Sequence, residues 1–162
     1  MTERAFFGKF RGVVTDNRDP DNLGRIRATV PDVLGKRESG WALPAVPYAG
    51  NRVGLFLIPE PRTSVWIEFE HGHPDYPIWS GCFWAKGEAP VNPAWATKKV
   101  LSTASGTITL DDTQGKNSIT IETTNNLKIT MDQKGIEISA GSQKIVVSTT
   151  SVSIDDGALE VT

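Results

Sequence analysis

Two histidines, one cysteine and two carboxylate pairs are the side chains in this chain whose types and spacing could do chemistry. His71-Gly72-His73, flanked by Glu70 and Asp75, has a spacing that a metal ion could bridge. No further ligand stands out nearby, however, and Gly-His-Pro is turn chemistry. Asp111-Asp112 and Asp155-Asp156 invite a hydrolase reading. Glycoside hydrolysis needs two carboxyls held about 5–10 Å apart across a cleft. Both pairs instead stand beside Thr or Gly at the ends of short repeat units, where Asp makes turns and solvates edges. Cys82 lies in an apolar stretch with no adjacent base and is expected as a small core residue. Neither a phosphate-cradling Gly-rich loop nor a nucleophile elbow occurs. The expectation is a chain with no catalytic residue, no metal site and no cofactor.

The elements that position these groups fall into two kinds. All six Phe, five Trp, two Tyr and ten Pro lie within residues 1–95. Residues 96–162 are built mostly from Thr, Ser, Ile, Val, Gly and Lys. The front half can pack an ordinary core around rings; the back half needs a core made by repetition. Charge is balanced in both, with eleven basic and eleven acidic residues up to 95 and six and eight beyond it. That argues against a bulk electrostatic partner such as nucleic acid or an anionic membrane. A single cysteine rules out an intramolecular disulfide and fits assembly in a reducing compartment. No apolar run approaches the ~18–20 residues that span a bilayer. Met1-Thr2-Glu3-Arg4 lacks the features of a signal peptide, so the protein is expected to be soluble and made in the cytoplasm.

Period-two alternation marks strands in the front half. Residues 6–14 carry Phe10 and Val14 between Lys9 and Arg11, and residues 24–30 carry Ile26, Ala28 and Val30 between Arg25, Arg27 and Thr29. Asp16 to Gly24 is a dense set of turn formers, which makes the pair a hairpin with a long loop. Trp41 to Ala45 and Leu55 to Ile58 are short apolar segments. Val65, Ile67 and Phe69 share one face of a further strand, and Ile78 to Trp84 forms the last. Short strands with little or no helix predict a small barrel.

From Thr107 the chain repeats units such as Ile119-Thr120-Ile121 and Ile136-Glu137-Ile138, separated by Gly, Asn, Gln, Ser and Asp. Strands this short, with one apolar face and no rings, cannot close a core in one chain. Three copies wound about a common axis would turn that face inward and pair the edges between chains. The predicted stalk core is Ile108, Leu110, Ile119, Ile121, Leu127, Ile129, Met131, Ile136, Ile138, Ile145, Val147, Val152 and Ile154. A single-chain β-solenoid or a hairpin array is the alternative.

The run Gly12-Val13-Val14, Asp19-Pro20-Asp21-Asn22-Leu23-Gly24-Arg25-Ile26-Arg27-Ala28 and Pro31-Asp32-Val33-Leu34-Gly35 resembles the opening of the phage baseplate assembly protein V family. Its OB-fold module is shared with phage tail spikes and with the VgrG spikes of type VI secretion and contractile injection systems. The likeness continues through Ser39-Gly40-Trp41-Ala42, Pro47 to Gly50, Phe56 to Glu60 and Val65 to Pro77 with Gly81. Ser105 to Thr113 resembles the first rung of the family's spike β-helix. One departure is Arg62-Thr63-Ser64, where the family usually carries a Gly-Asp or Gly-Glu turn. Only Ala85 to Ser105 separates barrel from stalk, so the lysozyme domain of some phage spikes is expected to be absent.

The resemblance implies an all-β protein with an OB-fold barrel (1–85), a Pro-containing linker (86–104) and an intertwined trimeric β-helix stalk (105–162). It implies a non-enzymatic central spike, a homotrimer seated on a baseplate hub, which pierces the target envelope and meets the target membrane in passing. The protein would be assembled into a virion tail tip or an injection-system baseplate. Some related spikes hold iron in His-x-His repeats at the tip; this tail has no histidine, which implies a bare end or a separate PAAR-type tip protein. Alternation places Lys9, Arg11, Arg25 and Arg27 together on the outer face of the first hairpin. That face suits docking on an acidic protein partner. The competing readings are an oligonucleotide- or oligosaccharide-binding OB protein, a cell-wall hydrolase and a sugar-binding fibre.

Overall fold

A computed structural model of the chain describes residues 5–161, with side chains as far as Leu159. The tetrapeptide read for a leader lies outside the described residues, as do the side chains of Glu160 and Val161. The chain divides into two units, Met1–Gly87 and Glu88–Thr162. Among the described residues no helix is long and apolar enough to cross a membrane.

The first unit runs through β1 (Phe10–Asp16), β2 (Arg27–Thr29), the one-turn α1 (Pro31–Leu34), β3 (Leu43–Pro44), β4 (Ala49–Gly50), β5 (Val53–Gly54), β6 (Ser64–Phe69) and β7 (Pro77–Cys82). One sheet has the order β2-β1-β6-β7-β3, antiparallel except that β3 runs parallel to β7. Bridges Ile26–Ala42 and Thr29–Glu38 join the strand edge at β2 to the segment entering β3. The sheet therefore closes on itself as a five-stranded barrel, the closure that a small β domain uses to remove its edges.

Alternation decides what fills it. Val14, Ile26, Ala28, Val30, Ala42, Val65, Ile67, Phe69 and Trp79 form the buried core. Phe6, Phe10 and Phe69 stack against one another at 5.7–6.3 Å between centroids. The Trp79 indole N–H donates to the Gly24 carbonyl at 3.1 Å, so its one polar atom is satisfied inside the apolar packing.

Both strands of the first hairpin are shorter than expected. Gly8 at φ +92° breaks the extended run before Phe10. At the other end Gly24 at φ +76° turns the chain, and the β1–β2 register shifts between Val14 and Asp16. Leu55 to Ile58, the second short apolar segment, follows the β4–β5 hairpin and forms no ladder.

Gly24 is favoured chiefly by its backbone conformation. Its φ is one that L side chains adopt at a cost, and a Cβ there would lie 2.8 Å from Ile58 Cδ1. Gly24→Ala is expected to destabilise the barrel by about 1–3 kcal/mol and to lower its melting temperature by about 5–15 °C. Tryptophan fluorescence reads this mainly from the barrel, because Trp41, Trp66, Trp79 and Trp84 lie in the first unit and only Trp95 in the second.

The second unit comprises β8 (Lys98–Ser102), β9 (Gly106–Asp111), β10 (Ser118–Thr123), β11 (Leu127–Asp132), β12 (Gly135–Ala140), β13 (Gln143–Val147), β14 (Val152–Ile154) and β15 (Leu159–Val161). They form one eight-stranded sheet in which each strand pairs antiparallel with its neighbour in sequence. Two expectations need correcting here. The span 86–104 is not all linker, since β8 lies within it and pairs with β9 from Lys98↔Asp111 to Ser102↔Thr107. The edges, expected to pair between chains, are mostly paired within the chain, because turns between consecutive strands are short enough for hairpins. In a single chain the tail thus has hairpin-array connectivity. What it leaves unsatisfied is a face.

Candidate functional site

The register of the tail sheet turns the repeat units into rows. Ile108, Ile121, Ile129, Ile138, Ile145 and Ile154 stand opposite one another from β9 to β14. Leu110, Ile119, Met131, Ile136, Val147 and Val152 make a second row two residues away along the strands. Leu127 opens a short third row opposite Ala140. Side chains two apart on a strand share a face, so all thirteen predicted stalk residues lie on one side of one sheet. Leu101 and Leu159 extend the first row at its two ends. The sequence reading missed Leu101 because Lys98-Lys99-Val100-Leu101-Ser102 offers only one apolar residue at that face.

This face has no cover. No apolar side chain of the tail is buried among the described residues; the whole buried hydrophobic core belongs to the barrel. Ile138 keeps 47% of its surface exposed and Leu110 43%, although both sit within continuous ladders. Covering side chains already half screened contributes about 1 kcal/mol each, and a monomer seldom leaves so extended an apolar strip in water. The opposite face carries Thr109, Thr120, Thr130 and Glu137 in register, with Val100 and Val146 as the apolar members of that row.

The barrel's four expected docking cations are all engaged. Lys9 Nζ lies 3.2 Å from Glu68 Oε2 and donates to Ser80 Oγ at 2.6 Å. The Ser80 hydroxyl, with Lys9 beside it, holds the Glu68 carboxyl below its ordinary range. Arg11 lies over the Trp66 and Phe83 rings at 5.8 and 5.4 Å, and those rings stack at 4.7 Å. Arg27 pairs with Glu38 at 3.2 Å and lies 4.8 Å from the Trp41 ring centroid.

Arg25 is used differently. Its guanidinium donates to Asp19 Oδ1 at 2.6 and 2.9 Å, also pairs with Asp21, and is only 17% exposed. Asp19 in turn accepts the backbone N–H groups of Asp21, Leu23 and Arg25 at 2.7–3.2 Å. This pair clamps the loop between β1 and β2. The expectation that Arg25 joins Lys9, Arg11 and Arg27 on an open docking face is corrected accordingly. Alternation could not show this, because Asp19 reaches Arg25 only after the loop has turned back.

The remaining candidates are structural in their contacts. His73 stacks on Tyr76 at 5.2 Å and its Nδ1 accepts the Asp75 N–H at 3.3 Å. Among the described residues no three His, Cys, Asp or Glu side chains converge as metal ligands would. Asp111 accepts from the Thr113 backbone at 3.0 Å, and the Thr113 hydroxyl and N–H keep its carboxyl below the ordinary range. Asp112 pairs with Lys99. Asp155 accepts the Lys144 N–H at 2.8 Å, and Asp156 pairs with the Lys144 ammonium at 2.5 Å. Each carboxylate pair therefore serves a turn. Cys82 is exposed at the end of β7 rather than in the core, and partial burial pushes its thiol pKa up, away from the reactive thiolate.

Comparison with known proteins matches both units. Residues 10–84 match the type VI secretion system/phage-baseplate injector OB domain. Residues 98–160 match the phage baseplate V C-terminal trimerisation domain. The type VI secretion system spike protein VgrG4b of Pseudomonas aeruginosa is 30% identical over 112 residues, which cover 61% of this chain. The aligned region is 14% of that relative's length.

Proposed function

Because the chain belongs to the phage baseplate V and type VI secretion injector family, we propose that it is the central spike of a contractile tail or phage-like injection apparatus. Three chains bring their apolar tail faces together around one axis and form a stalk. The barrels seat the trimer on a baseplate hub, and the stalk is driven through the target envelope when the apparatus contracts. No reaction is part of this role. A separate PAAR-type protein at the stalk's distal end would complete the point.

One observation carries the proposal. The tail sheet has two continuous rows of Ile, Leu, Met and Val and not one buried apolar side chain among its described residues. A chain with that face reaches a stable state only when something apolar covers it, and an identical face is the partner always present during assembly. The match to a trimerisation domain supports three as the number. The barrel cations, each already set against a carboxylate or ring, support docking on protein over capture of a phosphate backbone.

Light scattering on the full chain tests this. The expected mass is about three times 17.6 kDa, retained in mild denaturant, while residues 1–95 alone give a weaker or monomeric species. A full-length monomer overturns the proposal.

A further inference from the structure

The β4–β5 hairpin concentrates the barrel's exposed apolar surface. Leu23, Tyr48, Val53, Leu55, Phe56 and Ile58 line a groove of about 560 Å³ beside it. Phe56 is 72% exposed, Tyr48 59%, Leu23 55% and Val53 54%. Arg52, at the hairpin turn, is the one charged residue of the lining. A second concavity of about 440 Å³ separates the other side of the hairpin, at Leu55 and Leu57, from β7. The barrel's other exposed large apolar residues, Phe7, Val13, Leu43, Leu57, Tyr76 and Trp84, do not line the groove. So much contiguous exposed aromatic and aliphatic surface on so small a barrel marks an interaction site.

We propose that its occupant is the same patch of two other copies, the three hairpins meeting on the threefold axis of the trimer. This rests on the trimeric reading above. Two arguments favour a copy over an unrelated protein. Assembly of the tails tethers three barrels through the residues between Gly87 and β8, which keeps their patches at an effective concentration on the order of millimolar. Symmetry supplies the second. A side-to-side ring contact requires a second, complementary apolar surface on each barrel, whereas convergence on the axis requires only one patch per chain. The patch carries one charge, Arg52 at the hairpin turn, whose long side chain can keep its guanidinium in water while the apolar lining of three copies meets.

Cysteine cross-linking on the full chain decides the matter. In a Cys82→Ser background, Phe56→Cys is expected to oxidise readily between copies, since the Cα atoms must come within about 7 Å to do so. Three thiols at one axis leave one unpaired, so covalent dimers should hold about two thirds of the chains. Val53→Cys provides a second position in case the first is poorly aimed. Lys36→Cys, on the exposed turn after α1, should stay unlinked. Mass is measured first. If the chain is not a trimer, the spike reading itself fails. If it is a trimer in which neither hairpin position links, or the control links equally well, the hairpin is not at the axis. A trimer that stays unlinked and binds an apolar dye, with binding lost in Phe56→Glu, assigns the patch to a different protein and overturns the proposal.

Discussion

Ile138→Glu is expected to abolish trimer formation, with the mass in light scattering falling from three chains towards one. Ile138 sits on β12, inside the sheet, with Ile129 opposite on one side and Ile145 on the other. In the assembled stalk a carboxylate there would be taken out of water once per chain, at several kcal/mol each and with no cation in the row to receive it. The loss recurs three times about one axis, each larger than the gain of about 1 kcal/mol from the Ile it replaces, and it brings three like charges together inside the interface.

A second readout follows from the division of the core. The tail has no buried apolar residue of its own among those described, so it should lose β-structure in far-ultraviolet circular dichroism once its partners are gone. The barrel keeps its own core, so with Trp95 replaced by Phe in both proteins the fluorescence of Trp41, Trp66, Trp79 and Trp84 should be unchanged. Thr120→Glu supplies the control. Thr120 lies on the opposite face, between Thr109 and Thr130, where a carboxylate remains hydrated. Ile138→Glu protein with the full three-chain mass, or equal damage from Thr120→Glu, would show that the apolar face is not the assembly surface.

The contrast between these two positions was legible in the sequence, and the reason is geometric. A period of two fixes the face of every residue on a strand, and tight turns between equal-length strands fix the register, so Ile129, Ile138 and Ile145 had to line up. The same argument placed Val65, Ile67 and Phe69 inside the barrel. It failed where the backbone leaves the extended region. Arg25 and Arg27 both lie over the Trp41 ring, at 5.8 and 4.8 Å, but Arg25 follows Gly24 at φ +76° and is held by Asp19 of the loop, whereas Arg27 pairs with Glu38. Cys82 was misplaced for a related reason: β7 ends there, beyond Gly81 at φ +125°, and the chain turns out of the core. The exposed hairpin at Tyr48 to Leu55 was also hidden, because a short apolar run reads alike whether it fills a core or waits for another chain.

Asp19 gives the second large effect, and a test of what the misread arginine does. The ordinary carboxylate value is 3.8, and the Arg25 guanidinium, helped by three backbone N–H groups, holds Asp19 well below it. A group whose folded pKa lies below its unfolded one stabilises the fold above the unfolded value and loses that contribution as pH falls through the folded one. At neutral pH, Asp19→Asn should therefore lower the barrel's melting temperature by on the order of 10 °C, read again by tryptophan fluorescence. Below about pH 4 the wild type begins to lose the same interaction, and the two melting curves should converge with further acidification. Glu68 is lowered too, so both proteins weaken somewhat in acid; the difference between them isolates Asp19. A gap that stays constant from neutral to acid pH would mean that the Asp19 side chain holds the loop by shape and neutral hydrogen bonds alone. Convergence would instead establish an ionic clamp on the loop that enters β2, one strand away from the β3–β4 segment that carries the exposed hairpin. Loosening that clamp should then reduce cross-linking at Phe56→Cys as well, since Leu23, on the clamped loop, forms one wall of the same groove.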